Sequence, residues 1–241
     1  MKIAFISDIH GNAIALDSVL VDIKKKSVDK IVVLGDLCYR GPEPKRSIEL
    51  IRSLDTDVIK GNADEWVVRG VQQGEVPDKA IDMMNRERDW TLSRLEQSDV
   101  DYLSNLPTKL DFVFMDIAIN VFHATPDSLF EVVPPHAEED MIQAKLMSSA
   151  ESESQIYIYG HIHRSYIRYI NGKIVMNTGS VGLPFDGLAM ASYATVEIQE
   201  GMIRTSIERV AYDVEQVAEQ YKMMNYPNSE MMMKVLRDAR I

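Results

Sequence analysis

Side chains that can bind metal ions recur in this sequence directly after short apolar runs. Each run is rich in β-branched residues and stops at a polar or glycine-containing turn, which is typical of a buried strand. In open α/β sheets, ligands bind beyond the carboxyl ends of the strands, so these side chains are expected at one sheet edge. They are Asp8, His10, Asp36, Asn62, His123, His161 and His163. Of the five histidines, only His136 lies elsewhere.

The chemistry of this donor set is that of a hydrolytic metal site. Taken singly, an aspartate after a strand is more often a turn former or a helix cap, and the joint occurrence at five strand ends is what favours metal binding. Carboxylates, imidazoles and an amide oxygen suit Mn²⁺, Fe or Zn²⁺. A closed structural zinc site commonly uses several cysteines, whereas this chain has one, Cys38.

The elements that must position these side chains alternate at first between strand and helix. Helical periodicity at 12–25 and 44–54 separates strands predicted at 2–6, 30–34 and 57–60, so we expect parallel pairing and an α/β fold. Later strands are predicted at 112–124, as a hairpin around Met115-Asp116, and at 156–159, 166–177, 188–198 and 202–210. We expect the last hairpins to extend a second sheet, followed by a helical tail at 213–241 that breaks at Pro227.

Residues 64–107 form a polar, helix-rich stretch between the third and fourth strands. It contains both tryptophans, Trp66 and Trp90. No linker or composition shift separates it from the rest. We interpret it as a helical cap inserted into a single domain spanning residues 1–241.

The charge and composition of the chain limit the classes of partner that it is expected to bind. The net charge is −11 and the sequence pI is about 4.9, which disfavours non-specific nucleic-acid binding. A small phosphorylated substrate remains compatible, since bound divalent metals reverse the sign of the local charge. No apolar run reaches the roughly 20 residues that span a bilayer, and no secretory signal is evident. We therefore expect a cytoplasmic protein with no membrane partner; an oligomer is compatible with the sequence.

Five sequence motifs contain the candidate ligands: Asp8-Ile9-His10-Gly11-Asn12, Gly35-Asp36, Gly61-Asn62, His123 and Gly160-His161-Ile162-His163. Together they resemble the motifs of the calcineurin-like metallophosphoesterase superfamily. The resemblance covers residues 1 to about 190, and is closer to small bacterial phosphodiesterases, which share the stretch Asn177-Thr178-Gly179-Ser180-Val181-Gly182. A weaker likeness is to asymmetric diadenosine-tetraphosphate hydrolase-like proteins.

The resemblance implies a four-layer α/β/β/α sandwich with two mixed sheets and a two-metal site. One metal would be held by Asp8, His10, Asp36 and His163, and the other by Asp36, Asn62, His123 and His161. Asp36 would bridge the two metals, and Asp36 and Asn62 are the predicted catalytic residues. A water shared by both metals would attack phosphorus in line. Manganese or iron is favoured, and zinc or nickel is compatible.

The sequence departs from the family pattern at one position and matches a second motif nearby. Relatives commonly read Gly-Asn-His-Asp/Glu where this chain reads Gly61-Asn62-Ala63-Asp64. The missing histidine usually assists the leaving group, which alanine cannot do.

Arg40, in the Gly35–Gly41 turn, resembles an arginine that contacts substrate phosphate in phosphoprotein phosphatases, and a guanidinium suits that role. Its simpler interpretation is a solvated loop arginine.

Three functions are compatible with these residues. The leading prediction is a phosphodiesterase acting on phosphodiester or nucleotide-derived substrates. A phosphomonoesterase or protein phosphatase is favoured by Arg40 and disfavoured by Ala63. A non-catalytic scaffold on the same fold is the third, but such members usually lose metal ligands, and all seven positions here keep theirs.

Overall fold

The first sheet begins with the parallel units predicted from the sequence. The computed structural model describes residues 1–147 and 154–241. Its first elements are β1 Lys2–Ile6, α1 Ala13–Lys25, β2 Lys30–Val33, α2 Pro44–Ser53 and β3 Asp57–Val58. Strands β1, β2 and β3 pair in parallel and are connected by α1 and α2. Asn12 caps α1 by accepting a hydrogen bond from the Ala15 N–H at 3.0 Å, and Pro44 starts α2 with its fixed φ.

The second sheet is built from two hairpins and one central strand. The strands are β4 Lys109–Phe114, β5 Ile117–Phe122, β6 Ile156–Tyr159, β7 Tyr166–Ile170 and β8 Lys173–Asn177. Their order in the sheet is β4-β5-β6-β8-β7, with parallel pairs on both sides of β6 and antiparallel hairpins at both edges. The hairpin turns fall at Met115-Asp116 and Asn171-Gly172, as predicted.

The last hairpin lies in the first sheet, so the expectation that it extends the second sheet was wrong. Strands β9 (Ala191–Gln199) and β10 (Met202–Val210) give the order β10-β9-β1-β2-β3, with β9 antiparallel to β1. Without β9, the free edge of β1 would leave a row of unpaired backbone groups. β9 also buries both of its faces: Val196 lies between the sheets and Tyr193 lies under the outer helices.

Two mixed sheets packed face to face, with helices on both outer sides, form the α/β/β/α sandwich. The core between the sheets joins Phe5 and Val32 of the first sheet to Val121 and Ile158 of the second. Separate apolar cores lie under α1 and α2 on one side and under α6 (Glu139–Leu146) on the other.

Three helices occupy the segment that the sequence predicts to be a cap. They are α3 (Asn62–Arg69), α4 (Asp78–Leu92) and α5 (Gln97–Ser104), and they follow β3 directly. The tail forms α7 (Val214–Met223) and α8 (Ser229–Asp238), which pack on α4 through Trp90 and Tyr226. Among the helices of the described residues, none is both long and apolar enough to cross a bilayer.

Candidate metal centre

The seven predicted ligands meet at the carboxyl edge of both sheets. Asp8 and His10 follow β1, Asp36 follows β2, and Asn62 begins α3 after the short β3. His123 follows β5 in the second sheet, and His161 and His163 follow β6. Five of these residues have left-handed backbone conformations, which non-glycine residues rarely adopt and which concentrate at functional sites. Their φ values are 56° for Asp8, 48° for His10, 57° for Asp36, 66° for His161 and 54° for His163.

One group of ligand atoms comes from Asp8, His10, Asp36 and His163. All four residues are buried, and one ligand atom from each lies within 4.8 Å of the others. His163 Nε2 is 3.1 Å from Asp8 Oδ1 and 3.1 Å from His10 Nε2. This is the set that the resemblance assigns to one metal.

Asn62, His123 and His161 form a second group beside the first. The Asn62 amide oxygen lies 2.9 Å from His123 Nε2 and 2.7 Å from His161 Nδ1. His161 is tied to the first group through its backbone N–H, which donates to Asp8 Oδ2 at 3.1 Å.

Asp36 lies between the two groups. Its Oδ2 is 3.6 Å from His10 Nε2 in the first group and 3.5 Å from His123 Nε2 in the second. Its Oδ1 instead accepts the Ala63 N–H at 2.7 Å. The backbone of Ala63 therefore fixes the carboxylate so that one oxygen faces both groups.

Backbone carbonyls orient three of the imidazoles. The Nδ1 of His10 is 2.9 Å from the Tyr39 carbonyl oxygen, and that of His123 is 2.6 Å from the Leu34 oxygen. His163 Nδ1 likewise donates to the Leu183 carbonyl. Because a carbonyl only accepts, Nδ1 carries a proton in each ring and Nε2 is the nitrogen that faces the cluster, as in metal-binding histidines.

The resulting arrangement fits a bound cation. With Nδ1 protonated, His10 Nε2 and His163 Nε2 are both acceptors, yet they face each other at 3.1 Å. Asp8 Oδ1 is buried beside them and accepts no hydrogen bond. Buried acceptors that face only other acceptors are costly unless a positive charge lies between them. These residues therefore fit a divalent metal.

The protonation equilibria agree with this interpretation. Burial, assisted by His163, lowers the pKa of His10 to about 4, and burial with His123 lowers that of His161 to about 4. Burial opposes the charge on Asp36, but His123 outweighs it and holds the pKa of this carboxyl below its usual range. His10 and His161 are thus neutral and Asp36 is ionised at neutral pH, the forms that bind metals. Burial opposes the charge on His123, but Asp36 outweighs it and raises the pKa of His123 to about 9, so this imidazole must lose a proton when a metal binds.

Asp64 supports the bridging ligand, a role that the sequence left open. Its buried carboxylate accepts backbone N–H groups from Asp36 at 2.8 Å, Leu37 at 2.9 Å and Gly61 at 2.9 Å. It is also the third residue of α3, where an acidic side chain caps the helix. Burial and the charge of Asp36 raise the pKa of Asp64 to about 7. The only sequence signal was its capping position after Gly61.

Close backbone approach explains a glycine in the motif of the second sheet. A Cβ on Gly160 would stand 2.0 Å from Ser7 Oγ and 2.5 Å from Asp8 Oδ2, so only glycine fits. The Asn177–Gly182 stretch braces the same loops. Asn177 Nδ2 donates to the Gly160 carbonyl at 2.5 Å, and Ser180 Oγ donates to the Asp8 carbonyl at 2.7 Å.

Arg40, the predicted phosphate contact, lies next to the helical insertion. Its Nε is 3.4 Å from a carboxylate oxygen of Glu87 on α4, and its carbonyl accepts the Tyr221 hydroxyl at 2.5 Å. Its side chain is 23% exposed, so it is not a solvated loop arginine. Cys38 is buried and free, and burial raises the pKa of its thiol well above the usual value, which fits an inert packing residue.

Comparisons with known proteins identify the family to which this chain belongs. Residues 1–201 match the calcineurin-like phosphoesterase superfamily domain. An uncharacterized protein of Methanocaldococcus jannaschii is 28% identical over 238 residues, which cover 90% of each chain. The crystal structure of a metallophosphoesterase from Sphaerobacter thermophilus superposes with a TM-score of 0.77 at 24% identity, covering 99% of both chains. A hypothetical protein from Pyrococcus horikoshii gives a TM-score of 0.84 at 21% identity, covering 99% of this chain and 98% of that one. The chain therefore belongs to the calcineurin-like phosphoesterase superfamily, and its buried Asp/His cluster could hold a divalent metal.

Proposed function

We propose that this chain is a two-metal phosphodiesterase that hydrolyses small phosphodiester or nucleotide-derived substrates. The observation that carries the proposal is the position of Asp36 Oδ2, within 3.6 Å of an imidazole from each ligand group. A carboxylate shared by two divalent ions is the central feature of two-metal hydrolytic sites. Manganese or iron suits the oxygen and imidazole donors.

The chain's own residues would preorganise such a centre. Carbonyls hold the imidazoles of His10, His123 and His163, and the Ala63 N–H holds Asp36, so few ligands must reorient when metals bind. Two bound ions would lower the pKa of a coordinated water and stabilise the charge that develops on phosphorus. Six of the seven ligand residues, all except His161, are buried from bulk solvent, which strengthens these electrostatic effects.

The preference for weakly basic leaving groups rests on the alanine at position 63. The methyl group of Ala63 is buried and can donate no proton to a departing oxygen. Substrates whose leaving group is weakly basic, such as an aryl oxide or a phosphate, depend least on a general acid. We therefore place aryl and nucleotide phosphodiesters ahead of alkyl phosphomonoesters as substrates.

Arg40 supports the second candidate, a phosphomonoesterase. A guanidinium near the metals would suit a dianionic phosphate. However, Glu87 already lies 3.4 Å from its Nε and neutralises part of its charge. We propose that Arg40 contacts a substrate phosphate through its Nη groups, which form no hydrogen bond with the described part of the chain.

The test compares a diester with its matching monoester. Purified protein is loaded with Mn²⁺, its metal content is measured, and hydrolysis of bis-p-nitrophenyl phosphate is compared with that of p-nitrophenyl phosphate. We expect two metals per chain and a higher kcat/KM for the diester. A higher kcat/KM for the monoester would establish the second candidate. Two bound metals with no hydrolysis of either ester would favour the scaffold function.

A further inference from the structure

A cleft opens directly beside the metal centre. It encloses about 790 Å³, and the ligand His161 forms part of its wall together with the next residue, Ile162. Phe185 also lines it and stacks on the ligand His163, with ring centroids 4.2 Å apart and planes 8° from parallel. A substrate whose scissile phosphate sits on the metals can therefore extend past His161 into this space.

The cleft carries unpaired positive charge, although the chain is acidic overall. Arg164 and Arg240 both line it, both are exposed, and neither forms an ion pair with any carboxylate of the described residues. The acidic side chain in the lining, Asp186, is already bound by Arg209. His136, the histidine left outside the metal motifs, lies in the same wall. Two free guanidinium groups in a concave site favour an anionic ligand.

The wall that presents Arg240 is attached to the loop that orients the metal ligand His163. The Gly187 N–H donates to the Ala239 carbonyl at 2.9 Å, which ties the end of α8 to this loop. The Arg240 guanidinium lies against Gly187, where an added Cβ would stand 3.1 Å from Nη2. The same loop provides the Leu183 carbonyl that orients His163. The arginine is thus held in place relative to the metal centre.

We propose that this cleft binds a second phosphate group of the substrate, through Arg164 and Arg240. The inference rests on the proposed phosphodiesterase function and specifies its substrate class: a phosphodiester that carries a further phosphate beyond the scissile one. The reaction remains hydrolysis of the diester at the metals. The second phosphate is not transformed, and its role is to position the substrate.

A matched pair of chromogenic diesters isolates the second phosphate. Thymidine 5′-(p-nitrophenyl phosphate) and its 3′-phosphorylated counterpart share the scissile bond and the leaving group and differ only in the added phosphate. In the Mn²⁺-loaded wild type, we expect a higher kcat/KM for the 3′-phosphorylated compound. Arg164→Gln and Arg240→Gln should each reduce that preference by about tenfold, the usual effect of one charge-assisted hydrogen bond. Their rates on bis-p-nitrophenyl phosphate and their metal content should match those of the wild type.

Arg204→Gln on β10 is the control, because it removes one exposed arginine that does not line the cleft. It should leave the preference unchanged. A wild type without preference for the added phosphate, or arginine variants that retain it, would overturn the proposal.

A second measurement keeps the cleft testable if no diester is hydrolysed at all. Binding of inorganic pyrophosphate to the metal-free full-length protein can be followed by titration calorimetry. Weaker binding in Arg164→Gln and Arg240→Gln, but not in Arg204→Gln, would support an anion site in the cleft even if the proposed function fails. Equal affinity in all four proteins would overturn it.

Discussion

Asp64→Asn tests whether the carboxylate behind the bridging ligand holds the metal loops in place. The carboxylate accepts three backbone N–H groups: Oδ2 serves Asp36 and Gly61, and Oδ1 serves Leu37. An asparagine keeps one acceptor oxygen. Its best orientation places that oxygen where Oδ2 was, and the Leu37 N–H then faces an NH₂ group. The substitution therefore costs at least one buried hydrogen bond.

The expected loss of stability follows from the number of hydrogen bonds that the substitution removes. One orphaned buried donor costs about 1–3 kcal/mol. The amide also removes charge repulsion with Asp36, so we expect a loss of about 1–2 kcal/mol in the free energy of unfolding. For a chain of this length, this lowers the Tm by about 2–8 °C. Because the residue orients a ligand and does not itself bind metal, metal affinity should fall by about 10–100-fold. Asp64→Ala would orphan all three donors and is less informative, since we expect so large a loss to unfold the protein.

Asp99→Asn provides the matched control. Asp99 is also a buried aspartate at the third position of a helix, and its Oδ2 accepts the Glu96 N–H at 2.9 Å. It contacts no metal ligand loop. Thermal unfolding in chelator and calorimetric titration with Mn²⁺ should show that both variants lose stability, whereas only Asp64→Asn loses metal affinity. Unchanged metal affinity in Asp64→Asn, or an equal loss in Asp99→Asn, would refute the reasoning.

Substitutions at three further positions test individual parts of the site. Asp36→Asn should abolish turnover and remove most of the bound metal while the circular dichroism spectrum is retained; two metals and normal turnover in this variant would exclude a bridging role. Arg40→Ala should raise KM for the diester if the guanidinium holds a substrate phosphate, and Arg40→Lys should not restore binding fully because an ammonium lacks the planar fork. Wild-type kinetics in both would leave Arg40 as a partner of Glu87 alone. Ala63→His should raise turnover of alkyl phosphoesters more than that of nitrophenyl diesters, by up to the roughly 10²–10⁴-fold that a general acid supplies. Equal rates on alkyl esters at full metal occupancy would show that another group already donates the proton.

The ligand positions could be predicted because each depends on a local pattern. A strand of β-branched residues followed by a glycine-containing turn is a short-range signal, and parallel strands deliver their ends to the same sheet edge. Asp8, Asp36 and Asn62 could therefore be assigned to one site before their contacts were known. The hairpin turns at Met115-Asp116 and Asn171-Gly172 were equally local.

The pairing of one strand with another does not depend on local sequence, and the predicted sheet position of β9 was wrong. The residues of β9 alternate in a way that would suit either sheet. Its position was decided by the free edge of β1, to which it pairs over Lys2–Phe5. The helix α6 was also missed, because its eight residues give too short a pattern for a helical period to stand out.

The surroundings of the metal ligands were likewise decided by tertiary structure alone. The sequence left the role of Asp64 open, because its bonds to Asp36 and Leu37 join residues 27 or 28 positions away. The cleft brings together Arg164 and Arg240, which are 76 positions apart and carry no shared motif. A sequence specifies side-chain chemistry and the local turns that present it. The packing of sheets and helices decides which distant groups donate to a buried carboxylate and which line the space beside a metal. The reason is that a polar group needs a hydrogen-bond partner only when it is buried, and burial happens only when the chain folds.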